Sequence, residues 1–280
     1  MRIIDFIGKT PLVRVENNLF LKIEGRNPTG SIKDRAALYM LRGADLSVGS
    51  RIVEPTSGNM GISLCFLSAV MGYRATIVMP EGMSEEREKI MLAYGGRVVK
   101  VPGGMRSALE RAREIASSCG AFMPDQFVNP ENERAHFETT GPEIFADTKG
   151  RVDIVVAGVG TAGTIMGVAK YLKAVKPTVE VVAVEPITDD MGHHSIQGIG
   201  AGFLPPLYNE SVVDRTVYVS YDDAAEWTVR LAKKHGIFAG ISSGAAMYAA
   251  NIRSLENPDK TVVAILPDTA DRYLSLGLFS

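Results

Sequence analysis

Four short stretches gather residues able to do chemistry on a small charged molecule. In NPTGSIKDRAA (27–37) a turn, Asn27-Pro28-Thr29-Gly30, runs into Ser31, a natural N-cap, with Asp34 where a capping-box acid would stand. Lys33 then falls in the first helical turn, where the macrodipole opposes a second positive charge. That position, with Arg35 nearby, favours the neutral amine, a nucleophile towards an aldehyde; otherwise Lys33 is a solvent-facing surface lysine. EPTSGNMGIS (54–63) brings hydroxyls, a glycine and free N–H groups to one helix start at Thr56-Ser57-Gly58-Asn59, suited to a carboxylate or to plain capping by Ser57 or Asn59.

AGVGTAGTIMG (157–167) follows an apolar strand and opens a helix. Its Gly158-Val159-Gly160-Thr161-Ala162-Gly163 also reads as the dinucleotide fingerprint, with Glu185 about twenty residues on, so a nicotinamide-dependent oxidoreductase is a rival reading. The hydroxyls of Thr161 and Thr164 suit a terminal phosphate better than a passing pyrophosphate, and the loop lies in mid-chain rather than in an opening βαβ unit. GIFAGISSGAAMYAA (236–250) adds Ser242 and Ser243 at a helix start, one for capping and one free. An amine, a carboxylate site, a phosphate cup and a lone hydroxyl together match the needs of pyridoxal 5′-phosphate (PLP), whereas a nicotinamide would leave Lys33 without a purpose.

The elements that must position these loops alternate. Strands are predicted at 19–24, 51–55, 74–79, 97–102, 153–159, 179–185, 216–220 and 261–266, several continuously apolar, as strands buried on both faces are. Helices are predicted at 32–42, 59–71, 84–94, 105–118, 163–174, 221–235 and 243–254. Such alternation means βαβ units and an α/β fold with mostly parallel sheets. The polar, proline-containing stretch 124–145 breaks it and is read as the return from a smaller domain, 36–130, to a larger one, 1–35 and 131–280. The Gly-rich stretch 187–214 is long enough to be functional or mobile.

Acids and bases are interleaved and nearly balanced, at a net charge of -2, which offers no nucleic-acid surface and no polybasic membrane patch. Cys65 and Cys119 lie far apart and in no ligand spacing, so both are expected reduced and structural. His193 and His194 have no third ligand at metal spacing and are expected exposed, with no metal bound. The apolar run at the N-terminus is too short for a signal peptide and no stretch reaches membrane-spanning length, which makes a cytoplasmic location the default expectation.

The motifs IGKTPLV, NPTGSIKDR, EPTSGNMG, DQFVNPEN, TTGPEI, GVGTAGT, IQGIGAGF, GISSGAA and DRYLS occur, in that order, almost end to end. In them the chain resembles the cysteine synthases (O-acetylserine sulfhydrylases) of the fold type II PLP enzymes. The resemblance implies a tryptophan synthase β-like fold: two open, twisted, mostly parallel-sheet domains with PLP in the cleft between them. It implies that Lys33 forms the Schiff base and serves as proton-transfer base, and that Asn59 hydrogen-bonds the cofactor's ring oxygen. Thr56, Ser57, Asn59, Met60 and Gln126 would hold the substrate carboxylate; Gly160, Thr161, Ala162, Gly163 and Thr164 the phosphate. Ser242 would face the pyridine nitrogen and, being neutral, leave it unprotonated, which suits β-elimination with replacement. Gly198 would lie over the substrate.

The implied reaction makes L-cysteine and acetate from O-acetyl-L-serine and sulfide through an α-aminoacrylate. The implied assembly is a homodimer, able to dock the C-terminal peptide of a serine acetyltransferase. O-phosphoserine, another activated serine or another thiol is the alternative; the absence of Lys and Arg from 191–207 favours the neutral ester. Two departures stand out. Met60 replaces the family's usual Thr, removing a hydroxyl, and Ala162 replaces a usual Gly or Thr, harmless if its φ is negative.

Overall fold

A computed structural model of the chain describes every residue except Asn17, Ser84, Met191 and Ser280. The strands are β1 (Leu12–Arg14), β2 (Leu19–Ile23), β3 (Arg51–Pro55), β4 (Arg74–Pro80), β5 (Arg97–Val101), β6 (Val152–Gly158), β7 (Glu180–Pro186), β8 (Arg215–Val219) and β9 (Thr261–Leu266). The α-helices are α1 (Lys33–Arg42), α2 (Asn59–Met71), α3 (Glu85–Ala93), α4 (Met105–Cys119), α5 (Pro130–Ala135), α6 (Gly141–Asp147), α7 (Gly163–Val175), α8 (Tyr221–His235) and α9 (Ile241–Glu256). Among the described residues the strands form two sheets: six strands in the order β1-β2-β9-β6-β7-β8 and three in the order β3-β4-β5. Every pairing is parallel except β1 with β2.

The continuously apolar strands are explained by burial on both faces. Ile154 and Val156 of β6 pack with α8 and α9, whereas Val155 and Ala157, one residue out of phase, pack with α7. In the small sheet Ile52 faces α1 and α2 while Val53 faces Ala108 and Ala112 of α4. A period of two distributed over two cores leaves no polar alternation to read. The short antiparallel β1 has no such run, and the segment 124–145 holds α5, a π-turn (His136–Thr140) and α6 within what composition presents as an interruption. Asn129 caps α5 by accepting from the Glu131 N–H, and Pro130 occupies its first position.

Of the four stretches read as chemical, 54–63 and 157–167 follow the carboxyl ends of β3 and β6, the edge where open parallel sheets bind ligands, 27–37 comes after β2, and 236–250 leads from α8 into α9. No helix among the described residues is long and apolar enough to cross a membrane. Cys65, buried, and Cys119, half-buried, are both free thiols.

Candidate active site

The turn before α1 is stitched to the end of β9. The Ile32 N–H donates to the Pro267 carbonyl (2.8 Å), and Ser31 bridges Asp268. This sets Lys33 over the parallel edge, where its Nζ donates to Thr161 Oγ1 at 3.4 Å. Burial lowers the Lys33 ammonium to about 8, against the pull of buried Asp268. The cause differs from the expected one. Arg35 points away from the amine and forks onto Glu24 (2.7 and 2.8 Å) and Glu143 (2.6 and 2.7 Å). Nor does the capping box form: Ser31 Oγ accepts from the Lys33 N–H (3.2 Å), but Asp34 accepts from Thr29 and Ser63 instead.

The loop between β6 and α7 forms a cup. Lys33 and Asn132 both donate to Thr161 Oγ1, which leaves the threonine proton available to an anion. Thr164 Oγ1 meets buried His136 (3.3 Å), whose other ring nitrogen meets Thr140 (2.9 Å); burial keeps this imidazole well below its usual pKa, hence neutral. A Cβ at Gly163 would collide with the Asn132 amide, so the start of α7 comes close enough only as glycine. Ala162 contradicts the condition under which it was harmless: as N-cap of α7 it has φ +68°, the left-handed region. That conformation costs a non-glycine residue about 1 kcal/mol. Ala162→Gly is therefore expected to leave thermal stability unchanged or raised, where a glycine in an ordinary helical position would lower it by about 1 kcal/mol; a melting curve decides.

On the opposite side Thr56, Ser57, Gly58 and Asn59 lead from β3 into α2. No side chain caps this helix; Gly58 is its N-cap, and the Gly58 N–H donates to Thr56 Oγ1 (3.2 Å). Asn59 is held at both ends, donating to Asp268 (2.6 Å) and accepting from Arg272 (2.5 Å), with its second amide hydrogen unused among the described residues. Met60 is buried in the core beside α1 and also borders the cavity. Gln126 borders it too, its carbonyl fixed by Asn132 (2.7 Å).

Lys33, Thr56 to Met60, Gln126, Gly160, Thr161, Ala162 and Thr164 line one cavity of about 910 Å³, together with Ser242, Gly198 and Gly200, whereas Gly163 does not border it. Neither Ser242 nor Ser243 caps α9, because Gly240 does: Asp268 lies too close for a side chain there. Ser242, buried, is thus the hydroxyl that borders the cavity. Of the histidine pair, His193 is exposed, but His194 is half-buried, bonds the Gly200 carbonyl (2.8 Å) and borders the cavity. Glu185, at the end of β7, does not line the cavity as an acid meant for a ribose would, so the dinucleotide reading loses its partner residue.

Sequence reasoning missed Asp268, Arg272, Tyr273, Asn132, His136 and Arg87. DRYLS was a visible motif but had no role until folding placed Arg272 on Asn59 and the Tyr273 hydroxyl on Asp268. Arg87 comes from α3 onto the loop of 191–207, bonding Gln197 and the Ser57 carbonyl (3.3 Å) and stacking on Tyr273 (4.9 Å). A cation therefore reaches a loop that contains none in sequence.

An amine of lowered pKa, a hydroxyl-bearing start of α7 and the start of α2 around one cavity have the chemistry to hold an aldehyde-bearing phosphate beside an amino acid. A family model described as "Pyridoxal-phosphate dependent enzyme" matches residues 3–268. The chain is 44% identical over 99% of its length to a cysteine synthase of Staphylococcus aureus, covering 96% of that protein. It superposes on the cysteine synthase (OASS) of Entamoeba histolytica with a TM-score of 0.94 at 40% identity, over 99% of this chain and 90% of that one. An O-ureido-L-serine synthase matches at a TM-score of 0.95 and 42% identity, over 99% and 94%.

Proposed function

The chain belongs to the family of pyridoxal-phosphate dependent enzymes, and we propose that within it the protein is a cysteine synthase, forming L-cysteine and acetate from O-acetyl-L-serine and sulfide. The observation that carries this reading is the placement of Lys33, at the edge of one cavity between the Thr161 cup and the Thr56–Asn59 helix start.

The residues fit the cofactor. Lys33 would hold its aldehyde carbon, and Thr161, Thr164 and the N–H groups of Gly160–Gly163 its phosphate. Ser242 would meet the pyridine nitrogen, and the unused Asn59 amide hydrogen the ring oxygen. The cavity volume lies within the usual range for cofactor sites, ~300–1,000 Å³. Bound there, PLP supplies an electron sink for charge developing at the substrate α-carbon.

The chain's own groups do the rest. With its pKa lowered by burial to about 8, Lys33 has an appreciable neutral fraction near neutrality and can take the α-proton. Thr161, which accepts from Nζ, keeps that amine aimed into the cavity. Thr56, Ser57, Asn59, the backbone at Met60 and Gln126 would bind the carboxylate, with Gly198 over the substrate. The absence of Lys and Arg from 191–207 favours the neutral acetyl ester as substrate, although Arg87 of α3 also borders the cavity. Residues 36–130 would close as the smaller mobile unit, shutting water out of the cavity. The same reading takes the protein as a cytoplasmic homodimer that can dock a serine acetyltransferase C-terminal peptide.

The test is the visible spectrum of the PLP-loaded protein. O-acetyl-L-serine should shift its absorbance band to longer wavelength, and sulfide should restore it with release of L-cysteine. A band that persists without shifting would discard the activated serine; a colourless protein in excess PLP would discard the cofactor site.

A further inference from the structure

Glu54 carries a buried carboxyl group that the chemistry above does not use. It sits in β3, 1% exposed, immediately before Pro55-Thr56-Ser57, and does not line the cavity. No cation pairs with it among the described residues; its partners are backbone N–H groups, those of Asp125 (2.9 Å) and Gln126 (3.2 Å). Burial pushes its pKa up to about 8, the two N–H bonds opposing. An unpaired buried carboxyl group is costly to keep, and an apolar residue would fill a strand interior at no such cost.

What Glu54 holds is an improbable piece of backbone. Asp125 has φ +50°, rare for a residue with a side chain, and the segment then turns so that the Val128 and Asn129 N–H groups both donate to the Asp125 carbonyl. The two consecutive N–H groups are met by different oxygens of the one side chain, that of Asp125 by Oε2 and that of Gln126 by Oε1. Glutamate supplies both; glutamine would set an NH2 against one of the donors, and aspartate is one methylene short. Beyond the turn Gln126 borders the cavity that Thr56, Ser57 and Asn59 border, while Asn132 donates to its backbone carbonyl and to Thr161. One strand thus ends in half of the carboxylate site and, one residue earlier, grips the backbone of the other half.

We propose that Glu54 is the positioning residue of the substrate-carboxylate site: by clamping the Asp125–Gln126 backbone to β3 it fixes the Gln126 amide relative to the Thr56–Asn59 helix start. The proposal rests on the amino-acid site assigned above. Glu54 acts through Gln126 and touches no reacting atom.

The experiment uses PLP-loaded wild type, Glu54→Gln, Gln126→Ala and the double variant, with L-alanine as a non-reacting carboxylate probe. Glu54→Gln is expected to raise the L-alanine Kd and the O-acetyl-L-serine KM together, about tenfold, with kcat within about twofold and PLP content unchanged. In the Gln126→Ala background the same change should add less than about twofold, because its route to the carboxylate is already gone. Should the Gln variant not fold, Glu54→Asp carries the same comparison. Equal L-alanine binding by wild type and variant would overturn the positioning role while leaving the amino-acid site standing. So would kcat and PLP content falling as KM rises, the mark of general loosening. Wild type that binds no L-alanine would overturn the site assignment and this role with it.

Discussion

Lys33→Ala is expected to lower turnover by at least about a thousandfold, since one amine both holds the cofactor and moves the α-proton, and general acid–base groups alone contribute about 10²–10⁴. The PLP-supplemented variant should lack the wild-type absorbance band, and borohydride should fix cofactor to Lys33 in wild type only. The same substitution should not harm the fold. Burial lowers this ammonium from 10.5 to about 8, which at about 1.4 kcal/mol per pH unit means the folded state bears roughly 2–3 kcal/mol for carrying it, after screening through the cavity mouth. With the folded pKa below the unfolded one, that cost is fully present below pH 8 and fades as pH rises towards 10.5. Cofactor-free Lys33→Ala should therefore melt no lower than wild type at pH 7, its advantage vanishing in strong alkali; removal of the Asp268 attraction trims the gain. Full activity in the variant would end the mechanism. A large loss of stability at pH 7 would mean the amine is a structural ion rather than a strained functional one.

Much of the fold was legible because local chemistry decided it. β3, β9, α2 and α8 begin and end where the apolar runs and turn residues place them, and the parallel class follows from strands with no polar face. What stayed hidden depends on partners distant in sequence. Nothing near Lys33 announces that Asp268 will lie beside it, or that Arg272 will hold Asn59 from more than two hundred residues away. Local reasoning erred where a tertiary contact outbid a local one: Asp34 serves Thr29 and Ser63 across the α1–α2 contact rather than a capping box. Ala162 shows a different limit, since a left-handed φ at a non-glycine residue leaves no trace in the residue type. Spacing picked out stretches that the fold brings to one cavity, but not the groups that orient them.

Arg35→Ala should be the most damaging single substitution to stability, costing about 3–5 kcal/mol and lowering the melting temperature by roughly 10 °C. Arg35 is 1% exposed and bridges two carboxylates by paired hydrogen bonds, with Thr10 Oγ1 a further acceptor at 3.1 Å. Glu24 is fully buried, so deleting the guanidinium strands a carboxylate away from water. Lysine cannot replace it, because a single ammonium does not present two forks. Burial would raise Glu143, but the Arg35 guanidinium and Lys22 (2.9 Å) outweigh it and hold the acid at about 2. For a lowered acid the stabilisation is complete above pH 4.5 and is lost as pH falls towards 2. The gap between wild type and Arg35→Ala should accordingly be widest near neutrality and narrow in acid, measurable by denaturant unfolding across that range. Because Arg35 lies in the first turn of α1, two residues after Lys33, the network also fastens the turn that carries the amine to the residue following β2 and to α6. A gap below about 1 kcal/mol, the range of exposed ion pairs, or one indifferent to pH, would show that the Pro267 and Asp34 hydrogen bonds hold that turn without the ion network.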